Sequence, residues 1–470
     1  MAFWERQFWL LRNLKPGREV GEHHLKGMVI LADSKIILKE EMVMRKFWLW
    51  LVLSLFVVGS LGVCSAQEKE SEFIIFHYWT AGGEKEAIDA LFKLYAERNP
   101  GVKIVENPVA GGGGETMLAV LMSNLAAGIP PDSFQDHQGN QQKDYIDAGY
   151  LEAVDDIWAQ ANFEARINPM WVKTLKFGGH VYSVPINAHR TNWLWYNKKL
   201  FEELGIKVPE NYDDLLAACK KIKEAKPEVS PLALGTREKV WSTYLYDMVL
   251  LTTGGPDFYE KANTGRVDFL NDPTFRQAME RYAALIPYIY PWHATKSWDE
   301  AGALLKTGEA AMYWMGDWIL GYYLAIGMQP EVDFSVTAIP GDVWMGHADT
   351  FPLPKGAPHP NNARDWVLMC TTPEAQKAFN LIKGSVTIVN DVPFDVYPDP
   401  YRKRSAQDLA SLRAVCDGFH GGMITPAFGS ELMDILTRFL VDKDVDAAIK
   451  SIAEAAERTK LAEACSWFWE

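Results

Sequence analysis

Four tryptophans, Trp79, Trp241, Trp298 and Trp318, stand beside polar residues or glycine rather than inside runs of helical core positions. Any one of them alone reads as ordinary core. Together with the right polar neighbours they read differently. Flat indole walls plus a few convergent carboxylates and amides suit a ring with C–H faces and hydroxyl edges, such as a pyranose. The polar candidates fall in short clusters: Trp79-Thr80-Ala81-Gly82-Gly83-Glu84, Gln135-Asp136-His137, Ala348-Asp349-Thr350-Phe351, Lys383-Gly384-Ser385 and His420-Gly421-Gly422. Glu84 would accept hydrogen bonds from hydroxyls; it also suits the first turn of a helix, where the dipole favours a carboxylate. A carboxylate pair such as Glu84 and Asp349 between aromatic walls is also what a glycoside hydrolase uses as acid and nucleophile. The adjacent Lys and His candidates suit static hydrogen bonding instead, and no eightfold βα pattern is visible. A binder is expected, not an enzyme, and no cofactor.

These clusters need elements to hold them. Phe73 to His77 is a short apolar run, after which Ile88, Leu91, Phe92 and Tyr95 recur at helical spacing until Asn99-Pro100-Gly101 stops them. Residues 102–105 return as a strand. Strand, crossover helix and strand make a βαβ unit and imply a parallel sheet. The first Trp cluster then lies at the carboxyl end of a strand, where ligands collect in open α/β sheets. The glycine run 111–114 resembles a phosphate cradle, but no Gly-Lys-Ser/Thr follows, so a flexible loop is expected before a helix carrying Met117, Leu118, Leu121 and Leu125. Further on, strands are expected at 181–185 and 193–196, a helix at 198–204, and a cap and helix around 211–222. Helical patterns dominate to about residue 330, short strands return at 334–339, and helices close the chain. No repeat of solenoid length is present.

A chain of 470 residues exceeds the size at which one hydrophobic core keeps growing, so two domains are expected. A net charge of −14 disfavours a nucleic-acid partner, which would need a basic surface. Arg45 and Lys46 precede an apolar run, residues 47–63, that ends in Cys64-Ser65-Ala66. This is the layout of a secretory signal peptide, cleaved near Ala66, and the run is short for a membrane span. The stretch before Met44 fits no signal peptide, and a start at Met42 or Met44 is expected. Leu61-Gly62-Val63-Cys64 is near a lipoprotein box, but Val63 is a poor residue before a lipidated cysteine, so a cleaved, periplasmic or cell-surface protein is expected over an anchored one. Cys219, Cys370, Cys416 and Cys465 follow; export permits disulfides among them, with the pairing open. No CxxC pair or Cys/His cluster in the sequence marks a metal site.

The order of several motifs carries a resemblance. Ala127-Gly128-Ile129-Pro130-Pro131-Asp132, Leu194-Trp195-Tyr196-Asn197-Lys198, and Lys306-Thr307-Gly308-Glu309-Ala310-Ala311-Met312 leading into Gly316-Asp317-Trp318 run as they do in the extracellular solute-binding proteins of carbohydrate ABC transporters. From Phe73 to about Arg438 the chain resembles that family. Trp79 to Glu84, Gln135-Asp136-His137, Ala348 to Phe351, Lys383-Gly384-Ser385 and His420-Gly421 resemble its glucose-binding branch more narrowly. The resemblance implies an α/β, two-lobed periplasmic-binding-protein-like (type II) fold with a hinge. Residues 67–185 and about 330–385 would form one lobe, and 186–329 with about 386–470 a second, mostly helical one. It implies sugar contacts at Trp79, Glu84, Gln135, His137, Asp349, Lys383 and His420, with Trp298 and Trp318 as candidates for a second stacking wall. It implies a monomer that captures a monosaccharide, glucose first, and passes it to a membrane permease. A disaccharide, oligosaccharide or polyol is the alternative ligand. Val386-Thr387 stands where the family continues Lys-Gly-Ser with Ile-Pro, and Asp136 and Gln138 are unusual neighbours for His137.

Overall fold

The computed structural model describes residues 70–80, 83–110, 114–420 and 422–469. The expected signal peptide, Cys64 and the upstream stretch lie outside the described residues, as do Ala81, Gly82, most of the glycine run and Gly421. The first sheet is parallel, with Glu72–His77 between Lys103–Pro108 and Ser133–Phe134. Its central strand alternates, burying Phe73, Ile75 and His77 on one side. The crossover helix Gly83–Arg98 turns Ala87, Ile88, Leu91, Phe92 and Tyr95 inward at the expected spacing. The second strand runs to Pro108, beyond the expected 105, because it pairs with the first strand along its whole length to His77.

A second sheet orders its strands Ser230–Ala233, Ala310–Trp314, Trp193–Asn197 and Phe334–Ala338. Trp193–Asn197 runs antiparallel to both neighbours. Local chemistry starts and stops the flanking helices. The Asn197 side chain caps Lys198–Leu204 by accepting from Leu200 N, and Gly205 ends it at φ 55°. A Ser297/Glu300 capping box opens Trp298–Thr307.

Each sheet has its own core. Phe73, Ile75, Trp79, Phe351, Trp366 and Phe379 belong to the first; Trp195, Leu232, Met312, Tyr313 and Phe334 belong to the second. Buried side chains of this size stabilise by about 1.5–3 kcal/mol each. The cores interleave along the chain: Phe334, Val336, Ala338, Val343 and Met345 belong to the second and Trp344 to the first, while Val386, Ile388, Val392 and Leu409 belong to the first and Tyr401 to the second. The reason is pairing the sequence does not display. Phe334–Ala338 hydrogen-bonds along Trp193–Asn197, and Val386 bridges to Ala188.

The chain passes between the cores in strands. Val343–His347 pairs with Arg413–Cys416 and His189–Arg190, and Asp349–Pro352 pairs with Asp136–His137 and Ser183–Pro185. Cys219, Cys370, Cys416 and Cys465 are buried free thiols, so the disulfides that export would permit do not form among them. Burial pushes Cys465 up to about 11 and Cys416 up to about 12, which keeps both as unreactive thiols.

Candidate functional site

The crossing strands form the floor of a cavity of about 290 Å³. One wall comes from the first lobe, with Tyr78, Trp79, Glu84 and Lys383; the facing wall comes from the second, with Trp241, Trp298 and Trp318. His189, His347, Asp349 and His420 make the floor.

Glu84 is in the first turn of Gly83–Arg98, directly after the strand that ends at His77. Lys383 is the last residue of Pro373–Lys383, whose chain turns at Gly384 with φ 102°. The two ends meet as a buried ion pair. The Lys383 ammonium lies 5.9 Å from the Trp79 ring centroid and 6.0 Å from that of Trp318, within cation–π range of both. Trp79 is only 1% exposed and packs 4.9 Å from Phe379.

Asp349 is the most heavily bonded group of the floor. It accepts from Asn187 Nδ2 at 2.7 Å, Gln135 Nε2 at 2.9 Å and His189 Nε2 at 3.1 Å, and His137 Nε2 lies 3.4 Å away. Burial opposes its ionisation, but the bonds and charges from His137 and His189 outweigh burial and hold the carboxyl well below the usual range. His189 is itself raised, burial being overcome by Asp317 at its Nδ1. His347 is pushed down to about 3 by burial, even though Asp417 accepts from its Nδ1 at 2.7 Å. The His347 and His420 rings stack at 4.5 Å.

Of the nine candidate residues, Trp79, Glu84, Trp298, Trp318, Asp349, Lys383 and His420 line the cavity together. Gln135 and His137 do not. Gln135 accepts from Tyr78 N and donates to Asp349, and His137 sits beside the Tyr78 hydroxyl at 3.0 Å, so both stand behind the wall. His189, His347 and Asp417 were not among the candidates, and Asp317 entered only within the Gly316-Asp317-Trp318 motif. Their signal was weak but present: His189-Arg190-Thr191-Asn192 is a polar run directly before the apolar Trp193–Asn197 strand, and all four residues are buried. Buried polar groups must find partners, and here they find one another.

Both carboxylates of the cavity are held in hydrogen bonds and ion pairs. The Glu84 carboxylate is taken up by Lys383, and Asp349 is surrounded by donors. What remains is an aromatic slot with fixed hydrogen-bonding groups at its floor and one end.

Known proteins agree with this architecture. Residues 81–377 match the family model described as bacterial extracellular solute-binding protein. An uncharacterised ABC transporter extracellular-binding protein of Pyrococcus horikoshii is 42% identical over 401 residues, covering 84% of this chain and 89% of that protein. A probable sugar-binding periplasmic protein of Brucella melitensis is 31% identical over 413 residues, covering 86% and 96%. Among solved structures, the bacterial solute receptor AcbH, described as having an exclusive preference for β-D-galactopyranose, superposes with a TM-score of 0.73 at 19% identity, covering 83% of this chain and 99% of that one. The chain is a two-lobed member of the bacterial extracellular solute-binding protein family.

Proposed function

We propose that this protein captures a monosaccharide outside the cytoplasm by closure of its two lobes and hands it to the permease of a carbohydrate ABC importer. The observation that carries the reading is the cavity itself. Trp79, Trp241 and Trp318 line one volume of about 290 Å³ together with Lys383, Glu84 and Asp349, groups that suit hydroxyls. That volume is at the lower end of the ~300–1,000 Å³ of small-molecule sites, which favours one sugar ring over a long chain. A relative described as sugar-binding and a structural neighbour described as a galactopyranose receptor support the ligand class. Glucose is the first candidate because the Trp79–Glu84, Asp349 and Lys383 clusters resemble those of glucose-binding relatives. Charge-assisted bonds strengthen as the closing lobes exclude water.

A second reading has one observation in its favour. Arg237, Glu238 and Glu300 also line the cavity, which offers polar contacts beyond those one ring needs. Intrinsic tryptophan fluorescence, titrated with D-glucose, galactose, mannose and maltose, decides between them. A saturable change with a hexose supports monosaccharide capture, a response to maltose alone moves the ligand to a disaccharide, and silence to every sugar overturns the ligand class.

A further inference from the structure

We propose a transition-metal site at the edge of the cavity floor, with His347 and Asp349 from the floor and His137 from behind it as three ligands of one ion of the zinc class. The inference does not depend on the sugar reading. All three residues are buried, and their donor atoms lie within 4.8 Å of one another. His137 Nε2 is 3.4 Å from Asp349 Oδ1. A tetrahedral zinc with bonds of ~2.1 Å separates its ligands by about 3.4 Å.

The backbone explains why the three meet. His347 and Asp349 are two residues apart on extended chain, so they project to one side. His137 is the register partner of Asp349 on the adjacent antiparallel strand. Sequence spacing concealed the group, which is why no metal site is expected from the sequence alone.

The surrounding bonds are those that metal ligands require. A metal-bound histidine is oriented by a hydrogen bond from its other ring nitrogen to a carboxylate or carbonyl. His347 Nδ1 has Asp417 Oδ2 at 2.7 Å, and His137 Nδ1 has Gln141 Oε1 at 3.1 Å. The second oxygen of Asp349 is steadied by Asn187 Nδ2 at 2.7 Å and His189 Nε2 at 3.1 Å. The Tyr78 hydroxyl, 3.0 Å from His137 Nε2, holds the place that the ion would take over. His347 and Asp349 line the cavity, so an ion has a path in. Two imidazoles and one carboxylate select Zn²⁺, Cu²⁺, Ni²⁺ or Fe²⁺ over Mg²⁺ and Ca²⁺.

Cobalt titration of the EDTA-treated protein tests this. One equivalent of Co²⁺ is expected to give visible d–d absorption that Zn²⁺ bleaches. His347→Gln and Asp349→Asn should abolish the bands, while His180→Gln, at an exposed histidine, should keep them. X-ray absorption of the Zn²⁺ form should show two imidazole scatterers, a readout that stands even if a variant fails to fold. No band in the wild type overturns the proposal. Bands that survive in both folded ligand variants, or a Zn²⁺ shell of oxygen alone, mean an adventitious ion only and overturn it as well. Sugar titration in EDTA, run alongside, reports on the sugar reading separately.

Discussion

Lys383 and Glu84, 299 positions apart in sequence, form a buried ion pair that ties the end of one helix to the start of another. The Lys383 side chain is 3% exposed and that of Glu84 13%. Removing one member leaves the other charge buried without its partner, a loss of about 3–5 kcal/mol in such settings. Lys383→Met and Glu84→Gln should therefore each lower thermal stability and weaken sugar capture at least tenfold. The double variant should lose less than the sum of the two. A double-mutant cycle by calorimetry checks this, and strict additivity would contradict it.

Gly321 marks where the lobes touch. A Cβ there would come within 2.9 Å of the Lys383 carbonyl oxygen and 3.1 Å of that of Ile382, and a Cβ on Gly83 would meet Gly321 Cα at 3.2 Å. Crowding of this kind costs about 1–3 kcal/mol. Gly321→Ala should hold the lobes apart and raise the sugar dissociation constant roughly tenfold. Small-angle scattering with saturating glucose should show a less compact form than wild type, and an unchanged affinity would refute the contact's role in closure.

How much of this was legible beforehand varies with how local the signal is. The helix at 83–98 was readable because Ile88, Leu91, Phe92 and Tyr95 repeat within one element, and the Asn211 cap is visible in a few residues. The interleaving of the two cores was not, because Phe334–Ala338 pairs with Trp193–Asn197, a partner far away in sequence. His189 and His347 were hidden for the same reason: they sit on separate segments that strand pairing brings together, beside the His420 that the sequence did offer. His137 was found as a residue, but its place behind Tyr78 depends on a side-chain bond that no spacing encodes.

Trp79 packs against Phe379 and Phe351 besides facing the cavity. Trp79→Ala should cost about 3–5 kcal/mol of stability through the cavity it leaves. Trp79→Phe should keep most of that packing and still lose part of the sugar affinity. Chemical denaturation and titration of both variants separate the two roles; equal losses of affinity and stability in the Phe variant would contradict the stacking role.

Asp247 supplies a pH signature. Burial, then the charge of Asp417, pushes its carboxyl well above the usual range, with Tyr244, Tyr246, Tyr259 and Asn263 around it. A carboxyl whose folded pKa exceeds its unfolded value binds more protons when folded. Its contribution is present below the unfolded pKa and is lost as pH rises towards the folded one. Relative to Asp247→Asn, the wild type should lose stability as pH rises from the unfolded value of about 4 towards the folded one, by up to about 1.4 kcal/mol per pH unit for the one proton. Urea midpoints across that range check the sign, and parallel curves would contradict it.

The thiols offer a simple check on the core. With Cys219, Cys370, Cys416 and Cys465 buried and free, a thiol reagent should label none of them in the native protein and all four after unfolding without reductant. A shortfall after unfolding would reveal a disulfide.

The central claim is that the two lobes close on one sugar ring, and calorimetric titration of the protein with D-glucose tests it most directly. One saturable site of micromolar or tighter affinity is expected, lost in Lys383→Met and accompanied by a negative heat-capacity change as apolar surface is buried. No heat with glucose, galactose, mannose or maltose would contradict it.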